Sequence, residues 1–342
     1  MSKVNMGPLS AVYRMVLSGR GLLYKTGLKK TRKLPVRVIS IGNLTLGGTG
    51  KTPAVIALAQ EAKKRGFNPC ILTRGYKGKA KGPCFAGMGE GPVLNAYEAG
   101  DEPVLMAERL TGIPIVMGRN RYQSGMFAIN NVPAPLSIDM FILDDGFQHI
   151  ALDRDTDVLL INASNPFGNG KLFPEGILRE PMSAMRRGDI IVLSNSNLAG
   201  KEAIMSLTNE IKGLCPGSAV YRASHMPTAV VSLTGETESP DILSGAKVSA
   251  FSGIANPDHF RPALASRGAD VVKLMSFRDH FHYHQRDIDK IVENSAGLRI
   301  ITTEKDLVKL RELELPDDIS ALRIDFSIEK EFYDHVFNIM DV

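Results

Sequence analysis

The chain has no tryptophan, only three cysteines and no acidic residue before Glu61. It also lacks any apolar run near the ~20 residues that a bilayer-spanning helix needs. Cys70, Cys84 and Cys215 are odd in number, scattered and without ligand-like spacing. That pattern argues against a disulfide framework and against a zinc site, and fits a reducing cytosol. Arg14 and Arg20 interrupt the N-terminal apolar stretch, and no signal-peptide cleavage pattern follows it. Low hydrophobicity with heavy net charge is missing too. Of 342 residues, 44% are apolar and 23% charged, so the chain should fold, with length enough for two domains.

What is present begins with an asymmetry of charge. Residues 1–60 carry ten Lys and Arg, leaving 31 basic against 37 acidic residues in the remainder, so the net charge of +4 conceals a basic head on a mildly acidic body. Such a head is drawn to an anionic membrane surface or to nucleic acid. Leu9, Val12, Tyr13 and Val16 fall at helical spacing, with Leu17, Leu22 and Leu23 nearby and basic residues interleaved. This interfacial, amphipathic pattern predicts a helix lying on a membrane, where each Lys or Arg contributes roughly 1 kcal/mol toward an anionic leaflet. Single-strand nucleic-acid binders interleave aromatic platforms, whereas this head offers only Tyr13 and Tyr24, so no nucleic-acid partner is expected.

From residue 36 onward, short β-branched runs (36–41, 70–73, 113–117, 140–143, 157–161 and 189–193) alternate with helical stretches near 53–65, 102–111 and 119–130. The alternation predicts an α/β fold with a mostly parallel, doubly wound sheet. Between 213 and 247 the composition shifts to Gly, Pro, Ser and Thr, and a second series runs from KVSAFSGI (247–254) to ALRIDFSI (321–328). The expected organisation is a membrane-associating segment over 1–34, a phosphate-loop domain over 35–225 and a smaller α/β domain over 226–342.

The strand VRVISIGN runs into LTLGGTGKTP and then a helix, the order that a phosphate-binding loop requires. Gly47, Gly48 and Gly50 let the backbone N–H groups, that of Thr49 included, turn toward phosphate oxygens. Lys51 reaches the β and γ phosphates, Thr52 offers its hydroxyl to Mg²⁺, and Pro53 suits the first helical turn. The formal P-loop NTPase pattern asks for Gly where this chain has Thr45, yet three glycines before an exposed Lys-Thr are hard to explain as an ordinary turn. MFILDD then places Asp144 and Asp145 at the end of an apolar strand. Adjacent carboxylates repel unless a cation lies beside them, so one of the two is expected on Mg²⁺.

Taken together, GNLTLGGTGKTP, LTRGY (72–76), GDEP (100–103), LDDGFQH (143–149), LREP (178–181), RDH (278–280) and TTEKD (302–306) resemble the tetraacyldisaccharide 4′-kinase family over nearly the whole chain. The resemblance implies that Thr45 is a family trait. It also implies γ-phosphate transfer from ATP with Mg²⁺ to the 4′-hydroxyl of a tetraacylated glucosamine disaccharide 1-phosphate in lipid A synthesis, at the cytoplasmic face of the Gram-negative inner membrane; separately, a monomer is expected. By motif, Asp101 resembles the catalytic carboxylate and His280 its histidine partner from the second domain. Glu102 and Glu180 become metal or water ligands on the same ground.

Other readings stand beside these. GDEP alone reads as a helix N-cap, with Asp101 capping and Pro103 in the first turn. On a strand, His280, His282 and His284 would share one face, but only His280 belongs to the motif, so a metal site there is not expected. In TTEKD, Lys305 and Asp306 are adjacent, unlike a guanine-reading N-K-x-D. A strand-end turn that sets the second domain against the first is expected instead. Arg74 suits a phosphate or headgroup contact, and His149 a loop or supporting role. The alternative of a different class is a membrane-recruited ATPase switch with water as acceptor.

Overall fold

The computed structural model describes residues 7–134 and 136–338. Its elements run α1 (Pro8–Lys25), β1 (Arg37–Asn43), α2 (Lys51–Lys64), β2 (Pro69–Thr73), β3 (Cys84–Met88), α3 (Ala96–Ala99), α4 (Asp101–Arg109), β4 (Pro114–Met117), α5 (Arg121–Asn131), β5 (Met140–Asp144), β6 (Thr156–Asn162) and β7 (Ile190–Ser194). They continue with α6 (Lys201–Leu214), β8 (Ala219–Ser232), β9 (Thr237–Glu238), β10 (Lys247–Ser252), α7 (Phe260–Ala265), β11 (Asp270–Ser276), α8 (Gln285–Ser295), β12 (Arg299–Thr303), α9 (Glu304–Leu307), β13 (Ile319–Ile328) and α10 (Lys330–Asn338). Among the described residues one sheet runs in the order β11-β10-β12-β13-β8-β7-β6-β1-β5-β2-β4-β3, with β9 paired to β8 beside it.

From β7 to β4 neighbouring strands are parallel, and β3 closes that edge antiparallel. The strands read as near-continuous apolar runs because helices cover both faces. α2 and α4 bury Ala54, Val55, Leu58, Val104 and Met106 against Ile39, Ile71 and Ile142. On the other face lie Val38, Cys70, Leu72, Phe141 and, from α5, Ala128. The six runs read from the sequence coincide with β1, β2, β4, β5, β6 and β7 to within two residues at each end. β3 (CFAGM) carries little β-branched signal and emerges only through its pairing with β4.

The boundary expected at 226 falls inside β8. Its first stretch, Ala219 to Arg222, pairs parallel with β7, and from Ala223 onward it pairs antiparallel with β13. The two α/β units therefore share a strand. α10 then returns to the first unit, where Phe332, Val336 and Phe337 join its core and Phe337 stacks on Phe67 at 5.4 Å.

Two local expectations change. The apolar residues of α1 do not form one face. Ser10 is fully buried, its hydroxyl donating to the Leu172 carbonyl at 2.8 Å, and Tyr13 and Leu17 pack against the body one and two turns on. Leu9, Val12, Met15, Val16 and Leu22 point away from the protein. The cap of α4 is Gly100, at φ 91°, and Asp101 is already the first helical residue. The reason is that α3 ends at Gly100 and the chain re-enters a helix at once, leaving no room for an extended Asp101.

Candidate active site

The phosphate loop leaves β1 at Asn43 and enters α2 at Lys51. Asn43 braces it from inside, because its Nδ2 donates to Thr49 Oγ1 at 2.9 Å and its Oδ1 accepts from Lys51 Nζ at 3.3 Å. Gln148 Nε2 holds the Asn43 carbonyl at 2.8 Å. Gly47 and Gly50 adopt φ 101° and 82°, which a side chain resists, whereas Gly48 does not. Thr45 has no left-handed backbone. It bridges to Leu178, and the next amide, Leu46 N–H, donates to the Ile177 carbonyl at 2.7 Å. An extended residue pinned this way needs no glycine. Thr52, in the first turn of α2, is buried.

The second unit reaches over this loop. Asn256 Nδ2 donates to the Gly48 carbonyl at 3.3 Å, and a Cβ added at Gly50 would collide with His225 Nε2. His225 contacts Asn195 Oδ1 through Nδ1 at 2.7 Å, and its Nε2 is buried without a partner. Burial, then the neighbouring His259, pushes His225 down to about 4.

The adjacent carboxylates at the end of β5, Asp144 in the strand and Asp145 just past it, have different surroundings. Asp144 is buried and accepts from Thr73 Oγ1 at 2.9 Å; burial first, then Glu102 and Asp145, push it up to about 7. Asp145, at φ 51°, turns to Arg179, whose Nη1 lies 2.8 and 3.0 Å from its two oxygens, and to Lys51 at 3.5 Å. Burial would raise Asp145, but Lys51 and Arg179 outweigh it and hold the carboxyl below its ordinary range. Arg121 is buried beneath the pair, donating to the Gly118 and Asp144 carbonyls at 2.9 and 3.3 Å.

Asp101, 4% exposed, meets His280 across 179 residues of sequence, with both carboxylate oxygens 2.8–2.9 Å from Nδ1. His280 sits at φ 55°, its N–H donating to the Gly253 carbonyl at 3.2 Å and its ring against Tyr76 at 5.4 Å. Burial opposes charge on Asp101, but the His280 hydrogen bond and Lys305 prevail and hold the carboxyl low. The pair borders a cavity of about 690 Å³, to which Lys77, Lys79 and Tyr97 also contribute.

The remaining candidates have their own partners. Glu102 Oε1 accepts from Lys305 at 3.0 Å. Glu180 takes both terminal nitrogens of Arg187 at 2.7 and 2.9 Å. His149 is pushed down to about 4, by burial first and by Arg121 and Arg20 next, and its Nε2 is buried without a partner. Arg74 is exposed, and its charge is felt by both Arg121 and His149. His282 lies 6.0 Å from the Tyr97 ring, while the His284 N–H donates to Asp287 at 3.0 Å. Among the described residues no group of three His, Cys, Asp or Glu is arranged to hold a metal ion.

Sequence reading passed over Asn43, Thr73, Arg121, Arg179, His225 and Asn256. Asn43, Thr73 and Arg179 stood inside motifs already singled out, GNLTLGGTGKTP, LTRGY and LREP, and for Asn43 and Thr73 a polar residue at the last position of an apolar strand was the available signal. His225 and Asn256 carried none, because only the fold over the phosphate loop gives them their neighbours.

Comparison with known proteins bears on this arrangement. A family model described as tetraacyldisaccharide-1-P 4′-kinase matches residues 3–341. The tetraacyldisaccharide 4′-kinase of Syntrophus aciditrophicus is 38% identical over 97% of this chain and 91% of its own length. That of Anaeromyxobacter sp. (strain Fw109-5) is 39% identical over 96% and 88%. A crystal structure of LpxK from Aquifex aeolicus in complex with ATP superposes with a TM-score of 0.78 at 33% identity, covering 97% of both chains.

Proposed function

The chain belongs to the tetraacyldisaccharide-1-P 4′-kinase family, and from that premise we propose how its residues divide the work. The reaction is transfer of the γ-phosphate of ATP to the 4′-hydroxyl of a tetraacylated glucosamine disaccharide 1-phosphate, a step of lipid A biosynthesis. Kinase activity, not a hydrolytic switch, is what membership in the family carries.

Asp101 is the general base. The observation that carries this reading is its contact with His280: a buried carboxylate, held ionised by a histidine from a distant segment, beside a cavity wide enough for a sugar. A positioned base that takes the hydroxyl proton as the P–O bond forms contributes roughly 10²- to 10⁴-fold. His280 orients it. Lys51 and the loop amides hold the β and γ phosphates, and Arg179 keeps Asp145 beside Lys51 so that the lysine is itself fixed.

The donor set fits a divalent cation. Asp144 is pushed up to about 7 by burial first and by Glu102 and Asp145 next, and a cation beside these carboxylates would favour their charged forms. Thr52 and Asp144 would hold Mg²⁺, with Glu102 and Asp145 close by, while Glu180 stays with Arg187. When bound, the ion neutralises charge developing on the transferring phosphoryl group.

The protein is peripheral to the cytoplasmic face of the inner membrane in this reading. Among the described residues no helix is long and apolar enough to cross a bilayer. Leu9, Val12, Met15 and Val16 are each at least 54% exposed, with Arg14 among them and Lys25 at the end of the same helix, and such a face is stable when set into anionic lipid.

The test is transfer of labelled γ-phosphate onto tetraacyldisaccharide 1-phosphate in detergent micelles. Asp101→Ala should lower kcat by about 10²-fold or more while ATP still binds. Near-normal turnover of that variant would remove the base assignment.

A further inference from the structure

Around the Asp101–His280 pair lies a knot of charge, two of whose members, Asp279 and Lys305, the reaction as described does not use. Its carboxylates come from two places. Asp101 and Glu102 open α4, and Asp279 precedes His280 in the loop after β11. Lys305, the second residue of α9, stands between them, with Nζ 3.0 Å from Glu102 Oε1 and 3.8 Å from Asp279 Oδ1. One ammonium thus links the residue after the base to the residue before its histidine.

The link matters because Asp279 Oδ1 is buried without a hydrogen-bond partner, and its other oxygen faces His280 Nε2 at 3.6 Å. Without a cation there, Asp279 would repel Asp101 and Glu102 at close range in a poorly screened site. The surroundings keep Lys305 charged: burial would lower its proton affinity, but Glu102, Asp101 and Asp279 outweigh burial and raise it.

α9 is itself held rigidly. Thr303 caps it, accepting the Asp306 N–H at 3.1 Å, and Glu304 accepts from Arg109 at 2.9 Å and Arg323 at 2.8 Å. Asp306 accepts the Gly253 N–H at 2.9 Å, and the Gly253 carbonyl receives the His280 N–H. The same short helix therefore holds the histidine backbone through Asp306 and Gly253, and the flanking carboxylates through Lys305.

We propose that Lys305 is a positioning residue for phosphoryl transfer, holding Asp101 and His280 in register across the two units by bridging Glu102 and Asp279. It acts through Asp101, and the proposal rests on the base assignment above.

The test uses the full chain, ATP and the acceptor lipid in micelles, with Lys305→Met and Lys305→Arg made alone and together with Asp101→Ala. Lys305→Met should lower kcat about 10- to 100-fold with the KM for ATP changed less than about threefold, and Lys305→Arg should recover at least about fivefold of the loss. With Asp101→Ala already present, Lys305→Met should cost less than about threefold more, since its effect passes through the missing carboxylate.

Equal fold-losses in both backgrounds, or a raised KM for ATP with kcat unchanged, would overturn the proposal while leaving the base assignment standing. Near-normal turnover of Asp101→Ala would overturn both. If Lys305→Met does not fold, Lys305→Gln enters the same two-background comparison and is read in the same way.

Discussion

Residues 43–52 build the phosphate loop from ten consecutive positions between one strand and one helix, whereas Asp101 and His280 meet across 179 residues and two units of the sheet. In the first, the chemistry is written into local backbone geometry: left-handed glycines, a strand-end Asn43 that braces Thr49 and Lys51, and a helix start. In the second, the neighbouring sequence marks neither residue, although His280 too has a left-handed backbone. Asp101 is the first residue of an ordinary helix, and His280 sits in a loop. Their register is held by partners such as Gly253 and Lys305 that are themselves far away in sequence. A local site survives change elsewhere. A bridged one depends on every element that spans the gap.

The comparison breaks first at Gly50. Gly47 and Gly50 both need a left-handed backbone, where an added Cβ costs about 1–2 kcal/mol, but nothing lies within 4 Å of a Cβ at Gly47. At Gly50 the Cβ meets His225, so Gly50→Ala should cost about 1–3 kcal/mol more than Gly47→Ala. Thermal unfolding and ATP titration of the two variants check this. Equal effects would mean that the loop is as local as its sequence suggests.

A second division runs through α1, whose inward residues belong to the body and whose outward ones do not. Val12→Glu with Val16→Glu should release the protein from vesicles containing anionic lipid and leave the melting temperature unchanged to within about 1 °C. Tyr13→Ala should do the reverse, lowering stability by about 1–3 kcal/mol through lost packing and the lost hydrogen bond to the Arg179 carbonyl. Co-sedimentation and calorimetry separate the two.

The smallest effect concerns His225, the tertiary partner of the phosphate loop. Its proton affinity in the folded state is pushed from 6.5 down to about 4. Between those values the unfolded chain binds a proton that the folded one refuses, so this contribution is fully present above about 6.5 and lost as pH falls toward 4. Between pH 7 and pH 5, His225→Gln should therefore lose about 1–3 °C less in melting temperature than the unaltered chain, measured without nucleotide. Identical slopes would show that His225 titrates normally.

Much of this was legible in advance, for identifiable reasons. Strands buried on both faces spell themselves out as apolar runs, so β1, β2, β4, β5, β6 and β7 could be read with their order of alternation. Lys51, Thr52 and the glycines carried their context with them. β3 could not be read, since CFAGM gains its state from β4 alone. The Gly- and Pro-rich passage that suggested a domain boundary is interrupted by β8, whose two parts pair in opposite senses with β7 and β13. The face of α1 was mis-drawn because helical spacing groups Tyr13 with Val12 and Val16, while packing assigns Tyr13 with Ser10 and Leu17 to the body.

By itself the sequence determined the α/β alternation, the phosphate loop, the basic apolar head and the family, because each rests on residues adjacent in the chain or on a pattern of motifs in order. Only the tertiary structure decided that one sheet runs through both units, that Asp144 and Asp145 part company toward Thr73 and Arg179, and that Lys305 stands between Glu102 and Asp279. Those facts depend on burial and on distances across strands remote in sequence, and charge acts through space, with no regard to position along the chain.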